Sequence, residues 1–289
     1  MNGIIVKVSS GVYTVKHDEG KTECRPRGKF RINGTAPVAG DKCVIEINAD
    51  GTGVINEILP RKNSLIRPKL ANIDNLLIVF AAKNPEPQPA IIDRLTVTAE
   101  QKGITPVIVI TKADLATPEE IKNFKDVYES AGYKVIVTSS LEESGFREEF
   151  ESILFGKITA VAGCSGVGKS TFLNRIFGEE NLKTGEISSK NLKGRHTTTC
   201  IELYEKFGGL VADTPGFSSL EIFDAEKEEL ENYFPEIKRN LGDCRFVGCS
   251  HISEPDCSVK EAFLRGEICS SRYESYVQLY KDLKNRKRY

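Results

Sequence analysis

The 289-residue sequence has no tryptophan, a single methionine and three histidines. The missing tryptophan says little, but other scarcities exclude whole classes of protein. No apolar run approaches the ~20 residues that a helix needs to span a bilayer, so no membrane is expected as a partner. The opening Met1-Asn2-Gly3-Ile4-Ile5-Val6 lacks the layout of a signal peptide and reads as a first strand, so a cytoplasmic protein is expected. Net charge is only −1, yet it is unevenly spread. Residues 1–70 carry +5, residues 281–289 carry +4 and the middle carries −10. Basic ends around an acidic middle suggest a polyanion contacted at the ends; ordinary solvated lysines are the alternative at either end. The eight cysteines do not form a disulfide framework. Cys24, Cys43, Cys164, Cys200 and Cys269 are scattered, as in a reducing compartment, and the other three cluster with a histidine.

What is present begins with short alternating runs over residues 3–58, at 5–6, 12–15, 22–25, 29–32, 43–47 and 54–58, punctuated by glycines. Strands this short and closely spaced predict a small closed β-barrel of the OB type. Arg25, Arg27, Lys29 and Arg31 alternate along one segment, as a basic nucleic-acid face requires; a barrel that merely packs on its neighbour is the alternative. Residues 60–68 are polar, bracketed by prolines, and read as a linker. Thereafter strands at 76–81, 106–110, 135–137, 157–162, 201–203 and 210–212 alternate with helical patterns, which predicts an α/β domain with a mostly parallel sheet. Thr117, Pro118 and Glu120 sign a helix start with a capping box, and further boxes are expected at Ser258/Glu261 and Ser271/Glu274. Residues 181–199 read as a loop. The remainder is helical, and Tyr273, Tyr276, Val277, Tyr280 and Leu283 share one face of the last helix, which suits packing better than RNA stacking. The expected division is a barrel over 1–66 for RNA binding, an α/β domain over 67–219 and a helical Cys/His domain over 220–289.

The chemistry concentrates at strand carboxyl ends, where such sheets bind ligands. Gly163-Cys164-Ser165-Gly166-Val167-Gly168-Lys169-Ser170, with Thr171 continuing into a helix, matches G-x-x-x-x-G-K-[ST]. Its glycines let successive N–H groups converge on phosphate, Lys169 adds a point charge, and the Ser170 hydroxyl suits a magnesium ion. Thr111-Lys112-Ala113-Asp114 closely matches the N-K-x-D element of GTPases. A carboxylate there accepts two hydrogen bonds from guanine that adenine cannot offer, which makes GTP and GDP the expected nucleotides. Ser139, with Ser140 beside it, looks like the partner loop for the guanine oxygen. Asp213-Thr214-Pro215-Gly216 matches D-x-x-G, with Asp213 toward magnesium and the Gly216 N–H toward the γ-phosphate. Base recognition precedes the phosphate loop here, whereas GTPases ordinarily place it last. The order is that of a circular permutation.

Cys244-x4-Cys249-x-His251-x5-Cys257 offers three thiolates and an imidazole within 14 residues, a closed set typical of structural zinc; reactive cysteines or a disulfide are the alternative. Together these features resemble a known family, the ribosome small subunit-dependent GTPase A proteins of bacteria. Nearly the whole chain takes part, and Gly194-Arg195-His196-Thr197-Thr198-Thr199 and the Cys/His spacing match it specifically. The resemblance implies binding to the 30S ribosomal subunit and its 16S rRNA, hydrolysis of GTP stimulated by that subunit, and a role late in its maturation. Thr111 departs from the asparagine that many GTPases use to tether the phosphate loop, so looser guanine specificity is expected. Phe217 stands where a water-orienting glutamine is usual, so unaided hydrolysis should be slow. In line with the resemblance, His196 is the candidate to orient the water, with an ordinary surface histidine as the alternative. Thr198, or else Thr199, would complete the magnesium shell. A monomer is expected. A small-molecule kinase or ATPase is opposed by Asp114, and an RNA-binding protein with a purely structural nucleotide site is the third reading.

Overall fold

Alternation at period two shapes the amino-terminal strands β1 (Asn2–Ser9), β2 (Val12–His17), β3 (Gly20–Pro26), β4 (Lys42–Ile47) and β5 (Gly53–Ile58). Every second side chain turns inward, and Ile5, Tyr13, Val15, Cys24, Cys43, Ile45 and Ile55 meet in one core. The ladders run β1–β2–β3–β5–β4 and close where β4 pairs β1, with β3 and β5 parallel. This is the expected OB-like barrel, with five strands among the described residues. The structure is a computed structural model that describes residues 1–28, 30, 36–139, 146–177, 201–212 and 225–286. Lys29 and Arg31 lie outside the described residues; Arg25 and Arg27 are exposed.

The described chain forms two compact units, residues 1–76, 143–161 and 169–217 in one and 77–142, 162–168 and 218–289 in the other. In the first unit, the segment read as a linker is tied down. Strands β6 (Ser64–Leu65) and β7 (Leu70–Ala71) pair with each other, and Arg61 reaches back to Asp41, a fully buried carboxylate, at 2.6 and 2.8 Å. The buried charge requires that partner, and the guanidinium fork meets it on both oxygens.

The second unit begins with β8 (Asn75–Ala81), buried along its length, followed by α1 (Pro89–Gln101), β9 (Thr105–Thr111), α2 (Pro118–Ala131) and β10 (Lys134–Val137). The strand order is β10-β9-β8, and β9 and β10 are parallel. The Thr117/Glu120 capping box forms as expected, in both directions. In the first unit α3 (Phe146–Leu154), β11 (Ile158–Ala162), α4 (Lys169–Phe177), β12 (Ile201–Lys206) and β13 (Gly209–Ala212) follow. There β11 is parallel to β13, while β12 runs antiparallel between β13 and β1.

The rest of the second unit carries two short helices, α5 (Pro235–Lys238) and α6 (Ser258–Leu264), and the 16-residue α7 (Ser270–Asn285). Neither further capping box forms. Ser258 is already inside α6, and its hydroxyl donates to the Asn240 carbonyl instead; α7 starts one residue before Ser271 and has no side-chain cap. The tyrosine face of α7 packs on a core of Val97, Leu230, Phe234, Ile237, Val259 and Tyr276. At its centre Arg272, 1 % exposed, donates to Asp93 of α1 at 2.7 Å and to Glu236 at 2.6 Å. The Phe234, Tyr133 and Tyr128 rings surround its guanidinium at 4.7, 5.5 and 5.9 Å. Burial opposes its charge, but the two carboxylates outweigh that and hold its pKa well above the usual value. Arg272→Ala, which orphans two buried carboxylates, should lower the unfolding free energy by about 3–5 kcal/mol in urea titrations. Lys7→Ala, at the half-exposed Lys7–Glu202 pair, should change it by less than about 1 kcal/mol.

Candidate nucleotide site and metal cluster

The phosphate loop leaves β11 through Gly163, whose φ of +150° brings its backbone against β8. A Cβ there would stand 2.1 Å from the Val79 carbonyl oxygen, so only glycine fits. The loop is anchored from below by Val167, which is buried, while Ser165 and Gly166 stay exposed at the rim. Lys169, Ser170 and Thr171 open α4, so the loop leads directly into a helix amino terminus, where first-turn N–H groups and the helix dipole favour an anion.

Thr111 ends β9 beside this loop. Its buried hydroxyl lies 2.5 Å from the Val167 carbonyl and 3.1 Å from that of Phe80. The tether expected to be weakened by the absence of asparagine is therefore made by the threonine itself. Lys112 adopts a left-handed φ of +53° that turns its side chain toward the loop. The Nζ group donates to the Gly166 carbonyl at 2.9 Å and also to the carbonyl of Asn84. The Ala113 N–H points to the Thr138 carbonyl at 3.4 Å, which joins residues 111–114 to the end of β10. Buried Ser139 donates its hydroxyl to Asp114 Oδ1 at 2.9 Å, orienting an exposed carboxylate at the mouth of the site.

The structure thus brings Thr111, Lys112, Ala113, Asp114 and Ser139 together with the loop residues Gly163, Cys164, Ser165, Gly166, Val167 and Gly168. Ser140, His196, Thr198, Thr199, Asp213, Gly216 and Phe217 lie outside the described residues. Asn84 is a participant that sequence reasoning misses: it contributes a backbone carbonyl, for which no residue type is diagnostic.

The second feature is the cluster of Cys244, Cys249, His251 and Cys257, whose ligand atoms lie within 4.8 Å of one another. Cys244 and Cys257 sulfurs are 3.8 Å apart, and His251 Nδ1 is 3.5 and 3.3 Å from them. Tetrahedral bonds of about 2.3 Å to sulfur and 2.05 Å to nitrogen space such atoms by about 3.8 and 3.6 Å, so the donor set fits one tetrahedral ion. Glu231 accepts from His251 Nε2 at 2.9 Å, which leaves the Nδ1 lone pair facing the sulfurs. Burial pushes the Cys249 thiol up to about 12 and also raises Cys257. Burial raises Cys244 as well, but hydrogen bonds from Ser258 and the neighbouring thiols outweigh it and bring that thiol below its usual value.

The turn carrying these donors is held independently. Glu254 accepts N–H groups from Ser250, Ile252 and Ser253. Burial opposes its charge, but these bonds and the Ser250 hydroxyl bring it down to about 2. Tyr273 and Tyr276 donate to the His251 and Ser250 carbonyls at 2.6 and 3.0 Å. Glu231 is invisible in the sequence, since it lies 20 residues before the histidine it orients. His251→Ala should lose the metal, and Glu231→Gln should weaken its affinity about 10–100-fold with the fold retained; competition with a chromogenic chelator and circular dichroism check both.

The model of the RsgA GTPase family matches residues 58–223, and that of the RsgA N-terminal domain matches residues 2–55. A protein of Halalkalibacterium halodurans called small ribosomal subunit biogenesis GTPase RsgA is 46% identical over 288 residues, 98% of this chain and 97% of that protein. Its counterpart in Caldanaerobacter subterraneus is 45% identical over 289 residues, 100% of this chain and 97% of the relative. Among solved structures, that of YloQ, described as a circularly permuted GTPase, is 38% identical with a TM-score of 0.83 and covers 100% of this chain and 96% of its own. That of YjeQ from Thermotoga maritima is 40% identical with a TM-score of 0.84 and covers 99% of both chains. Coverage of both barrel and α/β parts, at identities above 40% in the two bacterial relatives, has one meaning: this chain belongs to the RsgA GTPase family.

Proposed function

We propose that the protein is a GTPase of small ribosomal subunit biogenesis that binds the 30S subunit through its 16S rRNA, hydrolyses GTP in response, and acts late in that subunit's maturation. The observation that carries this is the Ser139-oriented Asp114 carboxylate, tied through Thr111 and Lys112 to a phosphate loop. Asp114 reads guanine, because an acceptor pair facing the N1–H and exocyclic amine is left unmatched by adenine. The loop amides, Lys169 and the start of α4 hold the phosphates. Ser170, Thr198 and Asp213 would hold a magnesium ion, which when bound neutralises charge on the phosphates. Gly216 would supply its N–H to the γ-phosphate and His196 would orient the attacking water, a task for which the apolar Phe217 is unsuited. Residues 1–66 form the RNA-contacting barrel, 67–219 the GTPase domain and 220–289 the metal domain, where the four donors hold zinc. The relatives named as ribosomal biogenesis GTPases support this reading, as does the fact that no helix among the described residues is long and apolar enough to cross a membrane. The protein works in the cytoplasm as a monomer.

Hydrolysis of GTP and ATP with and without purified 30S subunits tests it: GTP turnover should rise strongly with subunits, and equal turnover of ATP or indifference to subunits would sink the proposal. In that assay His196→Ala should lose the stimulation while GTP affinity stays unchanged. Asp114→Asn replaces a charged acceptor by an amide and should weaken GDP binding by about 10–100-fold or more. Xanthosine diphosphate, whose C2 oxygen accepts from the new amide, should bind the variant better than GDP in fluorescence titrations.

A further inference from the structure

Helix α1 has two buried sides that serve different parts of the second unit. On one side Ile91, Ile92 and Leu95, with Pro85 at the approach to the helix, line a small cavity whose opposite wall is Gly163, Cys164 and Val167 of the phosphate loop. The same approach segment supplies the Asn84 carbonyl, which accepts from the ammonium group that also grips Gly166. On the other side Asp93 and Thr96 accept from Arg272 at 2.7 and 3.1 Å. Val97 lies in one core with Leu230, Phe234, Ile237 and two of the metal-ligating cysteines, Cys249 and Cys257.

Asp93 sits between Ile92 and Leu95 on a single helix, so α1 cannot shift at one face without shifting at the other. Packed interiors transmit such displacements rather than absorbing them. The cysteines form part of the core that Val97 enters, so whatever fixes them fixes α1. From α1 the path runs through residues 84–88 and Lys112 to the phosphate loop.

We infer that Arg272 is a positioning residue for the nucleotide site: through Asp93 and α1 it couples the Cys/His cluster to the phosphate loop, so that metal and guanine nucleotide each bind more tightly when the other is present. The inference rests on reading residues 163–171 as a GTP/GDP site. Coupling between two binding equilibria is reciprocal and is commonly worth about 5–150-fold. Neither ligand contacts Arg272, which acts only through the helix.

Zinc affinity of the full-length protein is measured by equilibrium competition with a chromogenic chelator, with and without saturating GDP. GDP affinity of the metal-loaded and metal-stripped protein is measured in parallel with a fluorescent analogue. GDP should tighten zinc about five-fold or more, and stripping should weaken GDP by the same factor. Asp93→Asn, which keeps shape and leaves the Arg272–Glu236 pair, should bring both ratios toward one while still binding each ligand. A merely structural Asp93 would shift the separate affinities and leave the ratios unchanged. Should that variant not fold, Thr96→Val takes its place. Zinc affinity indifferent to GDP, or ratios unaltered in the variants, would overturn the inference alone; failure of the wild type to bind GDP would overturn it together with the nucleotide reading.

Discussion

At the carboxyl end of β9 the Thr111 hydroxyl lies 2.5 Å from the Val167 carbonyl, and the Lys112 ammonium lies 2.9 Å from that of Gly166. A phosphate loop has no regular ladder to hold it, and its own carbonyls must point away from the anion that its N–H groups face. These two side chains accept that burden. They satisfy the backward-facing carbonyls and place the Asp114 carboxylate in register with the loop. Circular permutation leaves this arrangement intact, because it depends on which strand ends are neighbours rather than on their order along the chain.

The Cys/His region obeys a different constraint. Apart from the 16-residue α7 its helices are short, and α5 has only four residues, too few to persist alone. The described core there is assembled from aromatic side chains around one guanidinium and from a turn held by Glu254. A small region of this kind ordinarily needs a metal or disulfides to make up for its thin core, and the donor spacing supplies a place for the former. The buried Arg272 confers direction as much as stability, since a planar fork meeting two carboxylates from different helices admits few alternative packings.

Much of the molecule is legible in its sequence, and the exceptions have a common cause. The phosphate loop, T-K-A-D and the Cys/His spacing are readable because each compresses its chemistry into fewer than fifteen consecutive residues. The barrel is readable because period-two burial leaves a direct imprint on Ile5, Val15, Ile45 and Ile55. Glu231 and Asn84 are not readable: one is an ordinary glutamate far along the chain, the other acts through its backbone. The capping boxes at Ser258 and Ser271 match a local pattern, but tertiary demand overrides it, with the Ser258 hydroxyl drawn to the Asn240 carbonyl and to Cys244. Residues 60–68 look like a tether because polar and proline-rich composition says nothing about a distant buried Asp41. Nor does residue type alone disclose that Thr111, shorter than asparagine, reaches the Val167 carbonyl.

The way the barrel is fastened has a consequence for how the protein is made. Its strands end at Ile58, yet the loop before β4 is secured from beyond them: Arg61 binds Asp41, the Ala71 N–H donates to the Ala39 carbonyl, and Asn72 donates to that of Gly40. During synthesis the barrel can gather its strands once residue 58 has emerged, but its buried aspartate, held until then only by the Val38 N–H, meets its counter-charge when Arg61 follows, and the Ala39 and Gly40 carbonyls find their donors only at residues 71 and 72. The finished barrel therefore waits on the opening of the chain's second act, and translation hands it over already attached to β7 rather than as a free module.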